Sequence, residues 1–554
     1  MSSTATTNAT KRARGLVAIA AFAFALLFHA AQIPSQGLTD DDDFYAPAGI
    51  RYAEWLSDAV THPSLAFTQA SIESAFKLNH EHPPGAKIVF GVAHALGRAI
   101  GFGDLDAARL GCALFAAALA SLLVLLLWEP LGVLAAVSAP LLLLSLPRFT
   151  FHSEVATLDV PVACAVFAIT AAYFAAEAQR ARLRAVVVVG VIFALGNLVK
   201  LNAPFAIIPC ALWSLLLMWR GFRVDNAALV IPPIPRSLVA MIIAAPILFV
   251  LLWPWLWFDT VDRVGAYIAF HLQHYPIYLF YDGEIWEKPF APWHAVLFLG
   301  LGSLPAPVLA LGAVGSLRAL ASIARCARDT PATASAADKL RALLLLQAAF
   351  AMALVADPAT PRYGGEKLFM PFFPLFIALA ADGLAFVVDG VRAGLPLLAR
   401  SRLRARAVAV LAVALACAPG AFANVKLHGG YALSYYGELV GGLRGAVARG
   451  YERTYYDVAD KPLAHWLDDN AHGARVHFEP NHKEYARTYR WLKRDGVIGD
   501  GLILDDNKAR ANLIVLTHER RWSTYPALKA ELEKLRVVDD KSIDGVSLYT
   551  VYAR

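Results

Sequence analysis

Residues 107–128 read AARLGCALFAAALASLLVLLLW, and Arg109 is the only charged side chain among them. A helix needs about 20 apolar residues to cross the hydrocarbon core of a bilayer. This run meets that length, so the sequence predicts a membrane-spanning helix here. The prediction decides the fold class, because an apolar segment of this length is typical of membrane proteins.

Comparable apolar runs recur over the first 424 residues and predict a polytopic α-helical membrane protein with about eleven spans, at most about thirteen. The chain of 554 residues is 58% hydrophobic and 17% charged, whereas soluble globular proteins carry about 25% charged residues. This composition excludes a disordered, collagen-like or disulfide-scaffold protein. The predicted spans lie at roughly 15–33, 107–128, 131–147, 156–177, 185–199, 202–219, 237–257, 294–317, 342–356, 368–389 and 405–424.

Lys and Arg concentrate in alternate connections between these spans, as the positive-inside rule requires of cytoplasmic loops. The N-terminus is therefore predicted to be cytoplasmic. The first apolar run resembles a signal peptide but is predicted to stay uncleaved, which gives a multi-pass protein of the cell inner (plasma) membrane. The basic residues behind the net charge of +6 are attributed to loops at the membrane surface, and no nucleic acid partner is predicted. The basic segments are 11–14, 180–184, 220–236, 318–341 and 392–406.

The same topology places residues 34–106 and 425–554 on the extracytoplasmic side. Residues 1–424 are predicted to form the membrane domain, and residues 425–554 a small extracytoplasmic α/β domain, because their hydrophobic pattern changes sharply. Its predicted strands include 513–516 and 546–549, and its predicted helices are 460–469, 483–494 and 524–535.

The first outward loop opens with four consecutive aspartates, residues 40–43, followed by Phe44 and Tyr45. Neighbouring carboxylates raise one another's pKa, and a carboxylate held in this way can act as a general base. Asp41 and Asp42 are the candidates. A solvated acidic turn, or a loose Ca²⁺ site, is the alternative interpretation.

A second polar motif, residues 79–87, reads NHEHPPGAK. Its two prolines favour an extended stretch that presents Glu81 and His82, and His and Glu at this spacing can ligate a divalent cation. Residues 86–102 are predicted to form an amphipathic helix lying in the membrane interface, with Lys87 on its polar stripe. A helix merely packed on the bundle is the alternative.

Ionisable residues recur at the outward ends of the apolar runs. Placing such residues at membrane depth costs free energy, so they mark functional sites. Arg148, Lys200 and Arg362 are therefore predicted to bind a phosphate group together. Snorkelling side chains or a structural Asp–Lys pair would explain the same residues. The set comprises Arg148, His152, Asp159, Lys200, Arg362 and Tyr363.

Loop 258–293 is rich in Tyr, Trp and His. An interfacial aromatic belt accounts for most of these side chains, and a sugar-binding platform is the alternative. His271 and His274 are harder to explain as membrane anchors and are candidate ligands for a metal.

Taken in order, these motifs resemble those of the GT-C glycosyltransferases of the protein-mannosyltransferase and aminoarabinose-transferase type (glycosyltransferase family 39-like). The resemblance covers nearly the whole chain. The usual acidic pair is Asp-Glu, whereas here four aspartates leave its position ambiguous by one residue, and Lys200 precedes Leu-Asn rather than Gly. The matching residues are Asp41-Asp42-x-x-Tyr45, His82-Pro83-Pro84-Gly85-Ala86-Lys87, Asp159, Lys200, Arg362-Tyr363 and segment 431–442.

The resemblance implies transfer of a sugar from a polyprenyl-phosphate donor to a hydroxyl of a lipid, glycan or protein acceptor. Asp41 or Asp42 would deprotonate that hydroxyl, and the anomeric carbon would be inverted. The leaving phosphate would be stabilised by basic residues or by a divalent cation on Glu81 with His271 or His274, and no nucleotide cofactor is expected. The basic residues implied are Lys87, Lys200 and Arg362, to which Arg148 is added from its position at the outward surface, with Tyr45, His82, Asp159 and Tyr363 in support.

Two other functions fit a polytopic chain. A transporter or lipid flippase would carry inverted repeats and charges near the bilayer midplane, whereas here the charges collect at one surface and no repeat is evident. A ligase or polymerase acting on lipid-linked glycans would favour a long outward loop late in the chain, whereas the long acidic loop here comes first. A purely structural membrane protein is the least favoured of these alternatives.

Overall fold

The structure is a computed structural model that describes residues 2–178, 182–225, 228–273, 277–329, 333–395, 401–456, 460–518 and 526–554. Helices dominate residues 2–426. They are α1 (Ser2–Gln32), α2 (Asp40–Thr61), α3 (Pro63–Ala66), α4 (Gln69–Phe76), α5 (Gly85–Ala99), α6 (Asp104–Leu127), α7 (Val133–Leu144), α8 (Pro147–Ser153), α9 (Asp159–Ala178), α10 (Leu183–Asn197), α11 (Ile207–Met218), α12 (Arg236–Leu251), α13 (Thr260–Leu272), α14 (His294–Gly302), α15 (Ala306–Arg328), α16 (Ala336–Ala356), α17 (Phe372–Gly394) and α18 (Arg402–Lys426).

Eight helices of the described chain are long and apolar enough to cross a membrane: α1, α6, α9, α11 with its flanking turns, α15, α16, α17 and α18. A ninth crossing results if α7 and α8, which are bent by 77°, count as one. The number is below the predicted eleven because α10 and α12, although apolar, have 15 and 16 residues. That length is short of the about 20 that a bilayer requires.

Two predicted spans have different bounds in the structure. The prediction at 131–147 ends in the sharp bend between α7 and α8, because Pro147 begins a new helix. The prediction at 294–317 divides into α14 and α15, since Pro305 cannot continue the first helix and its successor starts the second. The polytopic helical class is confirmed.

The four aspartates begin a helix and do not form a solvated turn. Thr39 caps α2: its hydroxyl accepts the backbone N–H of Asp42, and the Asp42 carboxylate accepts the N–H of Thr39. This reciprocal capping box satisfies two otherwise unpaired donors. The positive end of the helix dipole also favours acidic residues in the first turn.

Helices α2 and α5 cross so closely that neither can carry a side chain at the crossing. A Cβ added to Gly91 would lie 1.9 Å from the carbonyl oxygen of Gly49. Helix α5 corresponds to the predicted interfacial helix 86–102. Its Val92 and Leu96 are exposed, while His94 turns inward to Asp104. This crossing fixes the acidic start of α2 relative to His82-Pro83-Pro84, the HPP motif.

The C-terminal part contains a five-stranded mixed sheet, which confirms the predicted small α/β unit. The strand order is β6-β5-β7-β9-β8, with β5 parallel to β6 and β7 and the other pairs antiparallel. The elements are α19 (Gly442–Ala448), α20 (Lys461–Asn470), β5 (Arg475–Glu479), α21 (His482–Arg494), β6 (Ile503–Leu504), β7 (Leu513–Thr517), α22 (Pro526–Leu532), β8 (Arg536–Ile543) and β9 (Val546–Ala553). Two short hairpins precede this sheet: β1 (Arg223–Asp225) with β2 (Ala228–Val230), and β3 (Leu279–Tyr281) with β4 (Glu284–Trp286).

Helix α21 docks the sheet onto the membrane helices. Trp491 Nε1 donates to Asp43 Oδ1 at 2.9 Å, and Arg494 Nε lies 2.5 Å from Asp104 Oδ2. The carboxylate of Asp495 accepts the backbone N–H groups of Asp104 and Leu105, at the start of α6. The C-terminal part therefore holds the first turns of both α2 and α6.

Candidate active site

Asp42 is fully buried and its carboxylate is held from several sides. Arg109 donates to both oxygens, with Nε 3.1 Å from Oδ1 and Nη2 2.7 Å from Oδ2. The backbone N–H of Ala156 donates to Oδ1 at 2.7 Å, in addition to the capping bond from Thr39. Because its lone pairs are occupied in this way, Asp42 joins three segments of the chain and is poorly suited to accept a proton from a substrate.

Asp41, one residue earlier, bonds to a different set of partners. Its Oδ2 accepts from Lys367 Nζ and from Tyr456 Oη, each at 2.7 Å. Both hydrogen bonds that this carboxylate makes within the described chain use the same oxygen. The side chain keeps an exposed fraction of 11%, against 1% for Asp42. Asp41 is therefore the better placed of the two candidate bases.

A second carboxylate, Asp159, lies next to the first. Its Oδ1 accepts from Lys200 Nζ at 2.7 Å, and its Oδ2 lies 3.3 Å from His152 Nδ1. Tyr456 Oη lies 3.4 Å from Asp159 Oδ2 and so bridges the two acids. The structure thus brings together Asp41, Asp159 and Lys200, which the sequence predicted for one site.

Glu366 and Arg148 continue this network on the far side of His152. Arg148 Nη1 lies 2.7 Å from Glu366 Oε2, and its guanidinium lies 4.2 Å from the ring centre of Tyr436. Tyr455 Oη donates to Glu366 Oε1 at 2.9 Å and lies 2.6 Å from His152 Nε2. Arg148 is thus paired with a protein carboxylate where the sequence predicted a phosphate.

The protonation states follow from burial and charge. Burial lowers the pKa of Lys367, but Asp41 and Asp159 outweigh that effect and raise it above its ordinary value, so the lysine stays charged. Burial, together with Asp41 and Asp159, raises the pKa of Tyr456 well above its usual range, so its phenol keeps its proton. Lys367 is therefore a cation beside Asp41, and Lys200 lies beside Asp159.

The ammonium group of Lys87 donates hydrogen bonds to the loop that contains the HPP motif. Its Nζ donates to the carbonyl of Asn79 at 2.6 Å, to Asn79 Oδ1 at 2.9 Å and to the carbonyl of His82 at 2.8 Å. Tyr52 Oη lies 3.3 Å away. The ammonium group therefore closes this loop in the structure, in place of the predicted phosphate contact.

Arg362 is also tied to backbone carbonyls. Its Nε donates to Val355 at 2.9 Å, its Nη2 donates to Ala356 at 2.5 Å and to Asp357 at 2.7 Å, and its Nη1 donates to Ala291. These contacts fix the loop between α16 and α17. The residues that the loop presents to the site are Glu366 and Lys367, whereas the sequence predicted Arg362.

Tyr363 precedes the turn that places Glu366 and Lys367 at the site. Gly364 and Gly365 follow it with φ of 64° and 55°, a backbone region that favours glycine. A Cβ on Gly365 would lie 2.5 Å from the ring of Tyr455. The glycine pair thus lets Lys367 reach Asp41 while Tyr455 packs against the turn.

Tyr45, Glu81, His82 and His271 lie together at one edge of the site. The rings of Tyr45 and His82 are 5.6 Å apart, and those of His82 and His271 are 5.5 Å apart. Burial and the nearby lysines lower the pKa of His82 well below its usual range, so the imidazole is neutral. His271 Nε2 lies 3.1 Å from the backbone carbonyl of Glu81 and so does not point to its carboxylate.

The arrangement of these residues does not form a complete metal site. In the part of the chain that the structure describes, no three His, Cys, Asp or Glu side chains converge so that they could hold a metal ion. The predicted ligand His274 lies outside the described residues. The metal therefore stays a prediction, and no chemical step is derived through it.

Glu366, Lys367, Tyr455 and Tyr456 are site residues that the sequence analysis did not identify. Glu366 and Lys367 lie four and five residues after Arg362, so the Arg-Tyr motif pointed to the correct loop. The adjacent tyrosines lie in the tail, beyond segment 431–442, the one stretch of the tail that the resemblance included. Nothing in the local sequence distinguishes this pair from the nearer pair Tyr435-Tyr436.

No protein-family model matches the chain, and no curated protein matches it. Among solved structures, ArnT from Cupriavidus metallidurans in the apo state aligns with 96% of this chain and 97% of that chain, at 15% identity and a TM-score of 0.50. The same enzyme bound to undecaprenyl phosphate aligns over the same shares, at 14% identity and a TM-score of 0.49. The archaeal oligosaccharyltransferase AglB from Archaeoglobus fulgidus, in complex with an inhibitory peptide and a dolichol-phosphate, aligns with 96% of this chain and 74% of that chain, at 12% identity and a TM-score of 0.47.

The match to apo ArnT extends over nearly the full length of both chains, and it agrees with the helical membrane part and the C-terminal sheet described above. The chain has the GT-C fold.

Proposed function

We propose that the protein is a membrane glycosyltransferase that moves a sugar from a polyprenyl-phosphate donor to an acceptor hydroxyl. The observation that carries the proposal is that Asp41 and Asp159 both contact one hydroxyl, that of Tyr456, while Lys367 and Lys200 pair with these two carboxylates. A general base beside lysines suits transfer to a hydroxyl with a phosphate as the leaving group. ArnT, whose apo structure shares this fold, has also been solved bound to undecaprenyl phosphate, which agrees with such a donor.

In the proposed reaction, Lys200 and Lys367 bind the donor phosphate. Asp41 accepts the proton of the acceptor hydroxyl, whose oxygen attacks the anomeric carbon from the face opposite the phosphate. The glycosidic bond forms, the bond to the phosphate oxygen breaks, and the configuration inverts. Charge stabilisation of the leaving group is commonly the largest catalytic contribution, so the two lysines carry most of the rate enhancement.

The remaining residues position this group. Asp159 orients Lys200, Asp42 fixes the first turn of α2, and Arg362 fixes the loop of Lys367. Lys87 closes the HPP loop that packs Tyr45 and His82 at the edge of the site. We place this site on the extracytoplasmic face of the inner membrane, with the N-terminus in the cytoplasm, because the basic loops lie at the opposite ends of the spans.

Sealed membrane vesicles test both the donor class and the face. Vesicles of each orientation, carrying the protein, are given radiolabelled polyprenyl-phosphate sugars together with envelope extract as acceptor. Label should move to the acceptor only where the predicted outer face is accessible to that acceptor. Uptake of label into vesicles without bond cleavage would support a transporter instead. Absence of transfer with every sugar and extract would contradict the proposal.

A further inference from the structure

A cavity of about 40 Å³ lies beside Tyr456, within the C-terminal part of the chain. A cavity needs about 10–15 Å³ of such water-accessible space to hold one water, and that water needs two to four polar partners. The cavity offers both the space and the partners. Its polar lining includes Tyr431, Ser434, Thr454, Tyr456, Asp460 and Thr517.

Asp460 is the one carboxyl group among the lining residues of this cavity that the structure describes. It is 3% exposed, accepts the backbone N–H of Leu463 at 3.1 Å and accepts a hydrogen bond from the hydroxyl of Tyr431. It is the residue before α20 and caps that helix. The helix needs only an oxygen at this position, and asparagine caps as well as aspartate.

The charges around Asp460 leave it able to titrate near neutrality. Burial raises its pKa to about 6, and Asp539 acts in the same direction. The hydrogen bonds from Tyr431 and from the N–H of Leu463, together with the charge of Lys541, oppose that shift. The phenols of Tyr489 and Tyr549 also face this carboxyl, and both keep their protons because burial and Asp460 raise their pKa.

We propose that Asp460 receives, through Tyr456 and a water in this cavity, the proton that Asp41 takes from the acceptor. This inference rests on the proposed function. Asp41 gives its proton to Tyr456 Oη while the Tyr456 hydroxyl gives its own proton to the water. The water passes one proton to the Asp460 carboxylate, which later releases it to solvent.

The atoms balance over the cycle. Tyr456 and the water end with as many protons as they had at the start, and Asp41 is a carboxylate again. The exchange at Tyr456 is concerted, because a phenol with a strongly raised pKa does not persist as a phenolate. The hydrogen bond of 2.7 Å between Tyr456 Oη and Asp41 Oδ2 provides the first step. Asp460 thus acts through Tyr456 and does not touch the substrate.

The test uses the full-length protein in membranes and measures kcat for sugar transfer between about pH 5 and 8. Because Asp460 must be ionised to accept a proton, the wild-type rate should fall as pH drops through about 6. Asp460→Asn keeps the helix cap, and its kcat should fall about tenfold or more with loss of that inflection. Tyr431→Phe removes a bond that lowers the pKa of Asp460, so its inflection should move to higher pH.

Each result separates the relay from the underlying function. If the wild type transfers sugar and Asp460→Asn keeps the same kcat and the same pH inflection, the proton transfer to Asp460 is wrong. The proposed transferase function would be unaffected by that result. A lower kcat in both variants with the inflection unmoved would show a purely structural cap, and would also overturn it. Absence of transfer in the wild type would overturn the proposed function and the relay together. Asp58→Asn, an exposed aspartate on α2, is the matched control.

Discussion

Asp41 and Tyr456 are separated by 415 positions in the chain, yet the Tyr456 hydroxyl donates to Asp41 Oδ2 at 2.7 Å. The first acidic helix and the C-terminal tail therefore build one site. The same hydroxyl lies 3.4 Å from Asp159, so it is the point at which the two acids meet. In the proposed reaction, the tail thus supplies a side chain that contacts the base.

Removing this hydroxyl should slow the reaction without unfolding the protein. In Tyr456→Phe the ring remains packed, but Asp41 loses a hydrogen bond and keeps the one from Lys367. We expect kcat to fall about 10-fold to 100-fold, since a charged hydrogen bond contributes about 1.5–3 kcal/mol, while KM for the donor changes little. Tyr278→Phe, on a side chain that is 37% exposed, should retain full kcat.

Asp42 should affect stability more than chemistry. In Asp42→Asn an amide would face the guanidinium of Arg109 and leave a buried positive charge poorly paired. Breaking a buried ion pair from one side costs about 3–5 kcal/mol. Thermal unfolding in detergent should show a lower midpoint for Asp42→Asn than for Asp41→Asn. Equal midpoints would contradict the structural role assigned to Asp42.

Lys367 is predicted to hold the donor phosphate. Lys367→Gln removes a cation that Asp41 and Asp159 keep charged. Transfer should fall about 10²–10³-fold, the range seen when one stabilising donor at a developing anion is lost, and KM for the donor should rise. Steady-state kinetics with labelled donor measures both effects. Lys77→Gln, at an exposed lysine directly after α4, should leave both unaltered. Full activity in Lys367→Gln would remove Lys367 from the mechanism.

The crossing of α2 and α5 should tolerate no methyl group. Gly91→Ala would place its Cβ 1.9 Å from the Gly49 carbonyl, so the helices must separate and the first turn of α2 must move. We expect a lower thermal midpoint and reduced transfer. Gly265→Ala, in α13 with open space around the new Cβ, is the control. It should be neutral or gain about 0.4–1 kcal/mol.

The sequence was sufficient for the helical membrane class, and for grouping Asp41, Asp159 and Lys200, because charges at membrane depth are rare and stand out. The division of the span 294–317 near Pro305 was not predicted, although proline disrupts a helix interior. The partners of Lys87 and Arg362 were not predictable, because backbone carbonyls become acceptors only along one particular loop path. Tyr455 and Tyr456 reach the site through long-range packing that leaves no local periodicity.

The most direct test of the account compares Asp41→Asn with Asp58→Asn, the same chemical change at the buried and exposed ends of α2. Both variants should insert into the membrane, and Asp41→Asn should keep a higher thermal midpoint than Asp42→Asn. Labelled sugar transfer from polyprenyl phosphate should fall at least about 10²-fold in Asp41→Asn, the usual contribution of a general base, and stay at the wild-type level in Asp58→Asn. Wild-type transfer in a correctly folded Asp41→Asn protein would contradict the assignment of Asp41 as the base.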